Sequence, residues 1–425
     1  MMNNRSTFYL LISLLFLFCV PNAGKAQDYG LPVMKGVQGF GFDARGGTGG
    51  KIVRVTNLNK SGQGSLKEAI QTSGPRLVVF EVAGRIDLEG SSLKIDQPFI
   101  TIAGQTAPDP GITLIRGGIG IVTHEVILQH IRVRPGEAGH KKKEGWEIDG
   151  IATAQGAWNV IIDHCSASWA TDENISPSGP RFQGAGVEEW RRNTSHRVLI
   201  SNCIIAEGLS HSTHSKGEHS KGTLIHDNAT EIAVIGNLYA NNRSRNPMFK
   251  GGSQGIAANN YIYNPGREMI HYNLVPAEWE GHEWVTGKMT VEGNVIEFGS
   301  DTPKEAFPGQ FRGPVEVYWH DNKIIPETGE KTLGGTHTLV ERRPVFPAGF
   351  VPTASSKVIE SVLLHAGARP WNRDAVDERI IREVKGKKGR IIDGEQQVGG
   401  YPSVKPVQRT FVEKEWDMVR LVQKK

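Results

Sequence analysis

Short apolar runs recur along the chain, each ending near a polar corner residue. They are Val126–Ile131 (VILQHI), Val160–Cys165 (VIIDHC), Val198–Cys203 (VLISNC), Ala233–Leu238 (AVIGNL), Ile256–Tyr261 (IAANNY) and Thr290–Val295 (TVEGNV). Each reaches His or Asn at its fifth position: His130, His164, Asn202, Asn237, Asn260 and Asn294. Tyr318–Lys323 (YWHDNK) adds Asn322, and Leu77–Val82 and Ile100–Ala103 have the same apolar character. The runs are short, β-branched and without a 3.6-residue period, which excludes helical repeats. They also lack the 8–12-residue rhythm of a hairpin sandwich. Strands recurring at a loose 23–38-residue spacing predict stacked coils that share one core, a parallel β-helix. Asn suits the corners because it tolerates left-handed backbone and can bond to the Asn of the next coil. Roughly nine coils at about 4.8 Å each predict a rod near 45 Å long.

The ends of such a rod need covers, since an open coil exposes unpaired strand groups. Ser65-Leu66-Lys67-Glu68 is a capping-box signature that opens a short helix at the N-terminal end. From residue 332 onward the pattern changes. Ser355–Ala366 and Arg373–Lys385 carry helical apolar spacing and are expected to pack on the rod. The expected organisation is a processing segment at 1–26, the β-helix at 27–331 and a partly helical extension at 332–425. In the first segment, Arg5 precedes the apolar run Tyr9–Val20, and Gly24 and Ala26 are the small residues before a cut at Gln27. This predicts export to the periplasm, cell surface or medium, with no membrane span after cleavage.

Composition sharpens this picture in three ways. Glycine supplies 51 of 425 residues, in keeping with many tight corners. The formal net charge of +4 is too small to point to nucleic acid, so anion recognition must be local. Only Cys165 and Cys203 lie beyond the processing segment. They hold equivalent places in successive repeats, so a disulfide and two core thiols are equally open.

Several segments together resemble the pectate lyases of polysaccharide lyase family 1. They are Gly36–Gly50, Val53–Ile70, Ile100–Pro108, the run VIIDHCSASW, the run SRNPMFKGG and the late stretch RDAVDERIIREVKGKKGRIIDGEQQVGGYP. The resemblance implies an all-β, single-stranded, right-handed parallel β-helix. It further implies calcium-assisted β-elimination of an acidic polysaccharide, polygalacturonate, by a monomer. Calcium suits this chemistry because charge builds on the uronate carboxylate when the C5 proton leaves.

The implied metal ligands are Glu147 and Asp149, two apart and therefore on one side of a strand, with Asp172 one coil on. Ser168 stands where the family often has an acid, and Glu173 is the compensating candidate. Arg245 matches the family's base in Arg245-Asn246-Pro247-Met248-Phe249-Lys250, where Lys250 replaces a substrate-binding Arg. Lys216 matches the family's second catalytic cation, with Lys221 as the alternative. Arg243 and Arg134 are further substrate-binding candidates, Arg134 because IRVRPGE could line the groove. His211, His214 and His219 allow a transition-metal alternative. The rival functions are a β-helix hydrolase of the polygalacturonase type, which needs carboxylate acid and base, and a non-catalytic carbohydrate-binding β-helix.

Overall fold

The computed structural model describes residues 36–326 and 333–424. The processing segment at 1–26 lies outside the described residues. Strands stack in parallel on three faces of a rod. On the first face His124–Gln129, Trp158–Asp163, His196–Ser201 and Thr230–Ile235 pair in register, with Val126, Val160, Val198 and Ile232 in one row. On the second face Ile131–Arg134, Ser166–Ser168, Ile204–Ala206, Leu238–Ala240 and Tyr261–Tyr263 follow one another. On the third, Ile119–Ile121, Ile151–Thr153, Glu173–Pro177 and Lys221–Ile225 do so. The chain is thus a parallel β-helix whose interior is a continuous Ile, Val and Leu core.

The apolar runs were nearly unbroken in sequence because two faces are covered on the outside as well. Outward-facing Ile127, Ile161, Leu199, Ala233 and Ile256 pack under Phe40 and Phe350. On the second face, Trp169, Ile204, Leu238 and Tyr261 pack under Val358–His365 and Ala375–Lys385, the two helices expected in the extension. Strands buried on both sides lose polar alternation. The third face carries the polar site described below.

The N-terminal helix is Leu66–Gln71, and the Ser65 hydroxyl accepts from the Glu68 N–H as the capping box requires. At the same end, Val407–Gln408 pairs antiparallel with Val82 and Ala83 and closes that edge of the second face. Leu333–Leu339 pairs with Gly309–His320, so stacked strands continue past the expected boundary at 331.

The corner residues form two rows, not one. Asn202 aligns with Gly236, one position before Asn237, because Ser201 pairs with Ile235. The first row is left-handed: His130, His164, Asn202, Gly236, Asn259, Gly293 and Asp321 all have φ between 46° and 68°. The second is a buried amide ladder, in which Asn237 donates to Asn260, Asn260 to Asn294 and Asn294 to Asn322, at 3.0, 2.9 and 2.8 Å. The six-residue segments therefore slip by one residue between the early and late coils. The slip matters because it exchanges inward and outward positions. Cys203 and Cys165 extend the second row, and both are free, buried thiols. The Cys203 backbone N–H donates to Asn237, which takes the ladder up to the cysteines.

Arg134 requires a correction. It lies on the second face with no exposed side-chain area, bonded to Asp374 at 2.6 and 2.9 Å and to Asp377 at 2.8 Å. Those two carboxylates belong to the helix Ala375–Lys385 and its N-cap. Arg134 therefore holds the extension to the rod and does not line a groove.

Candidate active site

Three acidic residues and one arginine gather on the third face. Glu173 begins its strand, and its backbone N–H donates to Asp149 at 2.9 Å. The Ser176 hydroxyl bonds to the other oxygen of Asp149. The Asp149, Asp172 and Glu173 carboxylates offer oxygens that all lie within 4.8 Å of one another. Burial, and then the charge of Asp172, push the Asp149 carboxyl up to about 7.

Arg245 meets this group from two coils on, past the strand Lys221–Ile225, with its guanidinium against Glu173. Its backbone is left-handed at φ 63°, a conformation that β-carbon-bearing residues rarely adopt. Its carbonyl accepts from Thr223 N–H at 2.6 Å. A β-carbon on Gly222 would lie 2.4 Å from that carbonyl oxygen, so glycine there allows the close approach. Burial lowers the Arg245 pKa, against the raising effects of Asp172 and Asp149.

On the other flank of Asp172 stand two buried histidines. His219 Nε2 is 2.9 Å and His214 Nε2 3.7 Å from Asp172 Oδ1. The two rings are stacked with centroids 3.6 Å apart. Burial alone would raise Asp172, but the hydrogen bond and charge of His219, with His214, pull it below the usual carboxylate range.

Glu147 does not join Asp149. Residues 146–150 are not a strand, so a two-residue spacing does not put both carboxylates on one side. Glu147 instead accepts from the Ser215 backbone N–H at 3.0 Å and from its hydroxyl, and lies 3.4 Å from His214 Nδ1. Ser168 is fully buried on the second face, where it pairs with Ala206.

The remaining cations are spread along the face. Lys216 is exposed, and its backbone N–H donates to His214 Nδ1 at 3.1 Å. Lys221 is buried and donates to the Ser244 hydroxyl at 2.9 Å, and burial lowers its pKa. Arg243 pairs with Glu218 at 2.8 Å. Lys250 is buried against Asp227 at 3.2 Å and against Glu278. Arg181 bridges the same two acids, at 3.1 Å from Asp227 and 2.9 Å from Glu278.

No protein-family model matches the sequence. Curated relatives do. The chain is 33% identical over 377 residues to a probable pectate lyase C of Aspergillus terreus, covering 86% of this chain and 80% of that protein. It is 32% identical over 379 residues to one of Emericella nidulans, covering 86% and 79%. The chain belongs to the pectate lyase family. Solved structures share the fold. The major allergen of cedar pollen superposes with a TM-score of 0.55 at 16% identity, over 78% of this chain and 92% of its own. A pectate lyase bound to a hexasaccharide does so with a TM-score of 0.53 at 12% identity, over 80% and 99%.

Family motifs pointed to Arg245, Lys250, Asp149 and Asp172, but several of their partners were not anticipated. Ser176, Asp227, Glu278 and Arg181 sit outside those motifs and become neighbours only through coil stacking. The 211–219 histidines were visible as a spacing, but without a regular element that spacing did not show which of them converge.

Proposed function

We propose that this chain is an exported enzyme that cleaves α-1,4-linked polygalacturonate by β-elimination, with calcium as its cofactor. The observation that carries the proposal is the placement of Arg245 against the Asp149, Asp172 and Glu173 group on the third face of a pectate lyase family β-helix. The donor set fits calcium, a hard cation that takes carboxylate oxygens. The Asp149 carboxyl, held up near 7 by burial and a like charge, is the group that a bound cation would favour in its ionised form. Calcium would be held by these three carboxylates and would stabilise the charge that develops on the uronate carboxylate.

Arg245 in its neutral guanidine form takes the C5 proton and becomes guanidinium, the C5–H electron pair forms the C4–C5 double bond, and the C4–O4 bond breaks, with O4 leaving as a hydroxyl on taking a proton from solvent. A guanidinium is an unusual base because it ordinarily stays protonated. Burial works in the required direction by lowering its pKa. Lys250 and Arg181 bind a uronate carboxylate in place of Glu278, and Lys216 reaches the substrate from the exposed loop. The apolar run at Tyr9–Val20 supports export.

The test is incubation of the protein with polygalacturonate, with calcium and then with chelator, following ultraviolet absorbance and reducing ends together. Absorbance that rises with calcium and stops with chelator is the expected result. Reducing ends without absorbance indicate hydrolysis, and neither signal leaves only carbohydrate binding. Both results contradict the proposal.

A further inference from the structure

We propose that Asp172, His214 and His219 form a site for a divalent transition-metal ion of the zinc or cobalt class, separate in chemistry from the oxygen-only group. Imidazole nitrogen suits zinc, cobalt and nickel, whereas calcium takes oxygen. Both histidines are buried, with side-chain exposures of 1% and 7%, and both direct Nε2 at the same Asp172 oxygen. Metal–ligand bonds of about 2.0–2.1 Å place tetrahedral donors roughly 3.3 Å apart. The two observed nitrogen–oxygen separations, 2.9 and 3.7 Å, fall on either side of that figure, and uptake of the ion splays the two rings from their 3.6 Å stack so that both nitrogens reach it. All three donor atoms lie within 4.8 Å of one another. Three protein ligands leave one position open to water or to a substrate oxygen.

The loop that carries the histidines is fixed by its own backbone. Gly217 adopts φ 85° between them, and its N–H donates to the His214 carbonyl at 3.0 Å. The His219 N–H donates to the Ser210 carbonyl at 2.9 Å. Ligation through Nε2 moves the ring proton of His214 to Nδ1, at the expense of the bond from the Lys216 N–H. Glu147 Oε1, 3.4 Å from Nδ1 and itself held by Ser215, is placed to accept that proton's hydrogen bond. A carboxylate behind a ligating histidine is the usual outer partner of such sites. On the second histidine, Nδ1 of His219 is buried with no hydrogen-bond partner among the described residues, so the proton that ligation moves there has no acceptor in the present loop and counts against the affinity.

This site goes beyond the lyase proposal and does not depend on it, although Asp172 is common to both ligand sets. The experiment uses metal-stripped protein without substrate, titrated with cobalt(II) chloride and followed by visible absorption, with zinc chloride as competitor. One cobalt ion per chain is expected, with a band stronger than that of the aquo ion, displaced by zinc. His214→Ala and His219→Ala should each raise the cobalt Kd by more than about tenfold and abolish the band. Glu147→Gln, at an exposed position, should weaken binding and keeps the test decisive if a histidine variant fails to fold. Absence of cobalt binding overturns the proposal. Binding unchanged in both histidine variants does so too, because it puts the ion on carboxylates alone, and so does an unchanged affinity in Glu147→Gln. The readout is metal absorption, so its failure leaves the lyase proposal standing, and absence of lyase activity leaves this one standing.

Discussion

Replacing Asp377 by alanine should loosen the C-terminal extension from the rod. Its carboxylate has no exposed area and receives Arg134 at 2.8 Å, Arg132 at 3.3 Å and the Ser166 hydroxyl at 2.7 Å. Removing one partner of a buried ion cluster costs about 3–5 kcal/mol, because the remaining charge stays in a poorly solvated place. Two contacts soften the loss. Arg134 keeps Asp374 at 2.6 Å, and Arg132 keeps the Pro110 carbonyl at 2.8 Å. The lower end of the range, about 3 kcal/mol, is therefore expected. An unfolding entropy of about 2 cal/mol/K per residue gives roughly 0.8 kcal/mol/K for a chain of this size, so Tm should fall by roughly 4 °C. Calorimetry of wild type, Asp377→Ala and Asp377→Asn at one pH measures it, and limited proteolysis should cut the extension sooner in the alanine variant. Asp377→Asn keeps the Ser166 bond and should fall between the other two. A Tm change below about 1 °C in Asp377→Ala would refute the assignment of this cluster as the clamp.

Three further outcomes are expected. Arg245→Ala should lower kcat by about 10²–10⁴-fold, the usual worth of a positioned base, and full activity in that variant would remove Arg245 from the role. Glu278→Ala should free Lys250 and Arg181 for substrate and lower KM by up to about fivefold, since a partly exposed ion pair is worth at most about 1 kcal/mol; steady-state kinetics that show an unchanged KM would count against their role. Burial alone would raise the Asp163 pKa, but His164, Ser201 and Gln129 hold it down at about 2. A depressed acid stabilises the fold above its unfolded pKa and loses that contribution as pH falls through the folded value. About 2 kcal/mol should therefore disappear between pH about 4 and about 2, and denaturant titrations of Asp163→Asn should lack that part of the slope.

The coil rhythm was legible because each strand must bury apolar side chains against the coils before and after it, and this leaves an apolar run in every turn of the rod. The phase of the rhythm was harder to read. Asn serves both the left-handed corner, as at Asn202, and the amide ladder one residue later, as at Asn237, so residue type alone does not separate the rows. Arg245 and Asp172 were legible through family motifs, and the structure places them around Asp149 and Glu173. Arg134 and Glu147 went astray for local reasons. An arginine on a strand looks the same in sequence whether its partner is substrate or a helix more than 200 residues away. A two-residue spacing defines a common side only where the backbone is extended. The Lys250 neighbourhood was not legible at all, because Asp227 and Glu278 reach it from separate coils.

The central claim is that this face breaks polygalacturonate by elimination and not by adding water. Digestion in heavy-oxygen water with calcium, followed by mass spectrometry of the oligogalacturonides, tests it most directly. Elimination predicts that every new non-reducing end is unsaturated and that bond cleavage incorporates no solvent oxygen. Saturated products that each gain one heavy oxygen at the cleaved bond would contradict the account.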